Sequence, residues 1–203
     1  MAGETIDLRI AEFLAARLCH ELVSPVGAIS NGLEILEDEP DFAGDAGALI
    51  SLSARQASRR LQFYRVAYGS TTSLAEDLVR RAAVDLFAEG KVTLEWRLGE
   101  TPEAWRKLVC NLVLLASEAL PRGGRVILDK AGVGSVAVTA EGEGVRLVEP
   151  IPALLHNPDR PEDLSPRTVQ AVFTALLARR ADTIVEVRQL NPNELMLVVK
   201  MKP

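Results

Sequence analysis

From about Thr5 to Glu37, the apolar residues Ile10, Leu14, Leu18, Leu22, Val26, Ile29, Leu33 and Leu36 recur at steps of three and four. That spacing marks one face of a single long helix. Pro25 lies inside it, lacks a backbone donor, and predicts a bend there. The run Glu37-Asp38-Glu39-Pro40-Asp41-Phe42-Ala43-Gly44 breaks the pattern, and Asp45 is placed to cap a second helix reaching Tyr68. That helix carries Leu49, Leu52, Ala57, Leu61, Tyr64 and Tyr68 on its apolar side, with Arg55, Arg59, Arg60 and Arg65 at polar positions. Two helices of about 35 to 50 Å leave apolar surface wet when packed only on each other. Pairing two hairpins into a four-helix bundle solves this, so a homodimer is expected.

Gly69-Ser70-Thr71-Thr72-Ser73 reads as a linker, after which helical patterns alternate with β-branched runs. Helices are expected at Leu74 to Glu89, from Thr101-Pro102 to Leu120, and from Ser165-Pro166 to about Arg180, with a short apolar piece at Ile151 to Leu155. Strands are expected at Lys91 to Leu98, Arg125 to Lys130, Ser135 to Ala140, Val145 to Val148, Thr183 to Gln189 and Leu195 to Met201. Asn191-Pro192-Asn193 forms the turn of the last pair. The expected fold class is therefore α+β: a dimerising helical hairpin over residues 1–68, then an α/β sandwich over 69–203 with helices on one face of a sheet.

With 203 residues, nearly half of them apolar, the chain can bury a sizeable core. A net charge of −5, with no basic run or basic-aromatic stripe, argues against a nucleic-acid surface. No apolar stretch of membrane-spanning length is present and the N-terminus has no signal pattern, so a cytoplasmic protein without membrane contact is expected. Cys19 and Cys110 fall in helical patterns without C-x-x-C spacing, and both are expected to be buried free thiols.

The chemistry concentrates at Leu18-Cys19-His20-Glu21-Leu22-Val23-Ser24-Pro25. At about 100° per residue the apolar stripe centres near Leu18 and Leu36, and His20 points to nearly the opposite side, toward solvent. Ser24, Gly27 and Asn31 follow four, seven and eleven residues on, so the histidine heads a face of small and polar side chains. A helical zinc pair would need a second histidine where Ser24 stands, so no metal is expected. An exposed neutral imidazole acts well as a nucleophile near neutral pH, and the adjacent Glu21 carboxylate can hold the other ring N–H. Phosphoryl transfer is the chemistry this favours. Arg17, about one turn before His20, can pair with a phosphoryl oxygen or with acids of a partner. His156, in a proline-rich segment, is expected to be structural.

His20-Glu21-Leu22-Val23-Ser24-Pro25-Val26 resembles the H-box of two-component sensor histidine kinases, whose histidine accepts the phosphoryl group. The second half resembles their Bergerat-type ATP-binding domain. Asn111-Leu112-Val113-Leu114-Leu115-Ala116 tracks the N-box helix, Pro121-Arg122-Gly123-Gly124-Arg125-Val126 the turn and strand after it, and Ala140-Glu141-Gly142-Glu143-Gly144-Val145 lies where the D-x-G-x-G box would be. The departures matter. The asparagine that helps hold Mg²⁺ and ATP would fall at Leu115, and the aspartate that reads adenine at Ala140. Neither side chain can replace what is lost, and each missing anchor removes about 1 to 3 kcal/mol of binding. The glycine-rich segment that wraps the triphosphate is replaced by Pro161-Glu162-Asp163-Leu164-Ser165-Pro166.

An intact H-box hairpin joined to a degenerate ATP-binding-like domain resembles the ChpT-type histidine phosphotransferases of alphaproteobacterial phosphorelays. The resemblance implies a homodimer that binds no ATP or other cofactor, with His20 and Glu21 catalytic and Arg17, Ser24, Gly27 and Asn31 beside the phosphoryl group or the docked receiver. It implies as partners the receiver domain of a hybrid kinase (CckA type) and response regulators (CtrA and CpdR type), with Mg²⁺ held by the receiver. Two alternatives remain: an active ATP-dependent kinase core, and an adapter that binds receivers without carrying phosphate.

Overall fold

The computed structural model describes residues 8–70, 75–159 and 164–202. Helix α1 spans Leu8–Asp38, with Pro25 inside it, and α2 spans Ala43–Tyr68. A single 3₁₀ turn, Pro40–Phe42, joins them, and α2 begins two residues before the expected cap, leaving Asp45 in its first turn. The two helices pack along their length. Pro25 and Gly32 are the buried residues of α1, and they face a helix whose buried positions include Ala46, Ser53 and Ala57. At Gly32 the approach is so close that a Cβ would lie 2.6 Å from Cγ1 of Ile50. Small residues thus set the closest approach of the two helices, while Val23, Val26, Leu33, Leu52 and Leu61 stay exposed.

The remaining chain forms α3 (Glu76–Leu86), β1 (Val92–Trp96), α4 (Glu103–Glu118), β2 (Gly124–Gly132), β3 (Ser135–Glu141), α5 (Ile151–His156), α6 (Val169–Arg180), β4 (Thr183–Asn191) and β5 (Glu194–Met201). The strands make one mixed sheet in the order β1-β2-β3-β5-β4, with only β1 and β2 parallel. The stretch Val145 to Val148, expected as a strand, is irregular. The Arg146 N–H donates to the Ala119 carbonyl just past α4 at 3.0 Å, not to a neighbouring strand, while Val145 is buried in the core. Gly142 and Gly144 form a turn after β3: a Cβ on Gly142 would lie 2.6 Å from the Gly123 carbonyl, and Gly144 sits at φ +70°. The segment 161–163 and most of the linker lie outside the described residues.

Helix α4 is the centre of the fold. Every residue from Leu108 to Ala116 is buried, between the sheet and α6 on one side and the base of the hairpin on the other. Phe63, Tyr64, Val66 and Ala67 of α2 share a core with α3 and with Cys110 and Leu114 of α4. Burial pushes the Cys110 thiol up to about 12, whereas Cys19, also expected inside, is exposed.

A buried polar chain crosses the same junction. Asn111 Nδ2 donates to the Ala67 carbonyl at 3.0 Å, Gln170 Nε2 donates to Asn111 Oδ1 at 2.7 Å, and the Tyr68 hydroxyl donates to Gln170 Oε1 at 2.6 Å. These bonds tie α2, α4 and α6 together, and Tyr68 also stacks on Tyr64 at 5.2 Å and meets Phe173 edge-on at 5.7 Å. Replacing Asn111 with leucine strands the Ala67 carbonyl and the Gln170 amide away from water. Each orphaned group costs about 1 to 3 kcal/mol, so a loss of about 2 to 6 kcal/mol is expected in chemical denaturation.

Candidate functional site

The turns of α1 on either side of His20 are held down, and His20 is not. Before it, Ile10, Phe13 and Leu14 pack against the core of the α/β part and Leu18 packs against the base of the hairpin. After it, Pro25 is buried in the seam with α2. The imidazole is exposed, and Ser24 and Asn31 are exposed along the same side. Gly27, half-buried between them, has nothing within 4 Å of where a Cβ would stand. The imidazole is thereby presented on the exposed side of a helix anchored before and after it, beside open space, as its helical phase requires.

Glu21 and Arg17 go elsewhere. One residue of helix rotates a side chain by about 100°, which carries Glu21 off the His20 face. Its carboxylate meets Arg60 of α2, and Arg60 Nη1 also donates to the Glu21 backbone carbonyl at 2.9 Å. Among the described residues no hydrogen bond joins Glu21 to His20, so the expected hold on the imidazole N–H is not made. Arg17 pairs with Glu118 at the C-terminal end of α4, and its side chain is only 15% exposed. Burial works against the Arg17 charge, but Glu118 and the adjacent Tyr68 and Tyr64 more than offset it and raise its affinity for the proton. Burial raises the Glu118 carboxyl despite Arg17, and it pushes the Tyr68 hydroxyl up to about 12. Arg17 is therefore an internal tie between the hairpin and the α/β part, not a free cation beside His20.

Leu115 and Ala140 are both fully buried in the main hydrophobic core. The amide that α4 does carry, Asn111, is spent within the fold on Ala67 and Gln170. Among the described residues, no group of three or more histidine, cysteine or acidic side chains is arranged to hold a metal ion. No described helix is long and apolar enough to cross a membrane. His156 ends α5 as an exposed residue.

Arg60 was legible only as a polar position on α2. The signal for more was Pro25: a proline deprives the carbonyl four residues earlier of its partner, so Glu21 needed a donor from another helix. Glu118 carried no such signal, because its partner lies 101 residues away.

A family model described as the histidine phosphotransferase C-terminal domain matches residues 76–190. The protein phosphotransferase ChpT of Brucella abortus (strain 2308) is 36% identical over 184 residues, covering 86% of this chain and 87% of that protein. A solved structure of a bacterial phosphotransferase superposes with a TM-score of 0.83 at 31% identity, covering 98% of both chains.

Proposed function

Because the chain belongs to the histidine phosphotransferase family, we propose that His20 relays a phosphoryl group between receiver-domain aspartates in a phosphorelay, without ATP. The observation that carries this reading is an exposed imidazole at the head of a small, polar helix face, on a helix braced before and after it. In the forward step a nitrogen lone pair of His20 attacks the phosphorus of an aspartyl phosphate. The N–P bond forms as the P–O bond breaks, the receiver carboxylate leaves with the electron pair, and the other ring nitrogen keeps its proton. The Mg²⁺ belongs to the receiver, so this chain supplies the nucleophile and a docking face.

ATP independence is supported by the two buried apolar side chains, Leu115 and Ala140, at the positions where the kinase resemblance calls for an asparagine and an aspartate. Receivers of a hybrid kinase (CckA type) and of response regulators (CtrA and CpdR type) are the partners of this reading. The chain acts as a cytoplasmic homodimer paired through the exposed apolar side of its hairpin. Ser24 and Asn31 supply hydrogen bonds beside the phosphoryl group.

Two incubations test the reading against its rivals. With labelled ATP and Mg²⁺ the chain stays unlabelled, and strong labelling identifies an active kinase instead. With a phosphorylated receiver and Mg²⁺ the label moves onto the chain, and failure of every cognate receiver favours a non-catalytic adapter.

Docking across the His20 face predicts a further result. A Cβ at Gly27 has nothing within 4 Å, so Gly27→Trp is expected to fold, with unchanged circular dichroism, while transfer falls at least about tenfold, the cost of a misplaced docking geometry. Unchanged single-turnover rates would move the docking face elsewhere.

A further inference from the structure

Pro25 stands four residues after Glu21 on α1, so the helical hydrogen bond from position 25 to the Glu21 carbonyl does not exist. The proline ring also crowds that carbonyl. The gap falls on the turn directly after His20, where an orphaned acceptor would let the helix bend or admit water. It is filled from the other helix. Arg60 Nη1 donates to the Glu21 carbonyl at 2.9 Å, and the same nitrogen meets the Glu21 carboxylate. Both side chains are about one-third exposed, a setting in which an ion pair by itself contributes little to stability. The bond to the backbone is what distinguishes this pair from the surface ion pairs of the sheet, such as Arg188 with Glu186, which join side chains only.

Building on the relay reading above, we infer that Arg60 is a positioning residue for phosphotransfer, a clasp that supplies the N–H missing at Pro25 and so fixes the turn presenting His20. The clasp has an electrostatic side as well. A phosphoryl group brings two negative charges to the imidazole, and the carboxylate of the next residue would oppose its arrival. Pairing with Arg60 cancels that charge at Glu21 and turns the carboxylate toward α2. Glu21 then contributes to His20 through the backbone, not through a hydrogen bond to the ring.

A double-mutant cycle on Pro25 and Arg60 tests the clasp, since Pro25→Ala restores the backbone N–H whose absence makes the guanidinium necessary. Wild type, Arg60→Ala, Pro25→Ala and the double variant are compared by amide hydrogen exchange around the Glu21–Pro25 turn. The same four proteins are compared by single-turnover transfer from the acetyl-phosphate-charged receiver domain that labels wild type fastest. Arg60→Ala is expected to speed exchange in this turn and to slow the transfer step about ten- to a hundredfold, the scale of a small misplacement of a reacting group. The half-saturating receiver concentration stays unchanged. In the Pro25→Ala background the same substitution has a several-fold smaller effect on both readouts, because only the charge on Glu21 remains to be balanced. Equal effects in the two backgrounds, or unchanged exchange in Arg60→Ala, overturn the clasp. If no receiver labels wild type, the relay reading fails instead, and the exchange cycle alone still decides whether Arg60 holds the turn.

Discussion

His20→Ala is expected to lose all acceptance of label from a charged receiver, a fall of at least about a thousandfold, because a covalent carrier has no substitute when its nucleophile is removed. The fold should not notice. His20 is exposed on α1, surface substitutions of this kind stay within about 0.5 kcal/mol, and alanine is the better helix former. Circular dichroism and thermal melting of the variant should therefore overlay on wild type while transfer disappears. The label on wild type should also be lost in acid and kept in base, as a phosphoramidate requires. Exposed Cys19 beside the histidine makes the control necessary. Label that survives His20→Ala would place the acceptor on another side chain and end the relay reading at this residue.

Placing aspartates at both Leu33 and Leu61 is expected to convert the protein to monomers. In a single chain these leucines are 48% and 50% exposed, with Val23, Val26 and Leu52 also open to solvent on the same hairpin. Covering the exposed half of each leucine contributes about 1 kcal/mol, and twofold symmetry counts every substitution twice. The double variant thus loses about 3 to 6 kcal/mol of apolar burial, and must bury four carboxylates at several kcal/mol each. Even a nanomolar dimer is held by only about 12 kcal/mol. The hairpin should survive within each monomer, because its seam is built from Pro25, Gly32, Ala46, Ser53 and Ala57, and its base is locked into the core with α3 and α4. Light scattering gives the mass and circular dichroism the helix content. A double variant that remains dimeric would place the interface on another surface.

The two predictions draw on different levels of information. The phase of His20 follows from a local rule, 3.6 residues per turn, and the stripe opposite it is long enough for that rule to hold. The long helix, the turn near Pro40, the second helix and most strands were legible for the same reason: each depends on periodicity or turn chemistry within a few residues. Val145 to Val148 was misread because a short alternating apolar run describes equally well a strand and a buried irregular segment; the Ala119 carbonyl decided between them. The small residues of the α1–α2 seam carried no signal, because hydrophobicity ranks glycine, serine and proline low, whereas close helix approach selects for small size.

Pairings between distant residues were not legible at all. Arg17 and Glu118 are separated by 101 residues and Asn111 and Gln170 by 59, and no local pattern marks either pair. The sequence by itself determined the chemistry available at His20, the side of the helix it occupies, and the apolar Leu115 and Ala140 at the positions where the kinase resemblance calls for polar residues. Only the tertiary structure decided what the neighbouring charges do: it committed Arg17 to Glu118 and Glu21 to Arg60, leaving neither of them on the histidine. The physical reason is that helical phase is set by the backbone alone, whereas a charged side chain takes the partner that folding brings within reach, and that partner can come from anywhere in the chain.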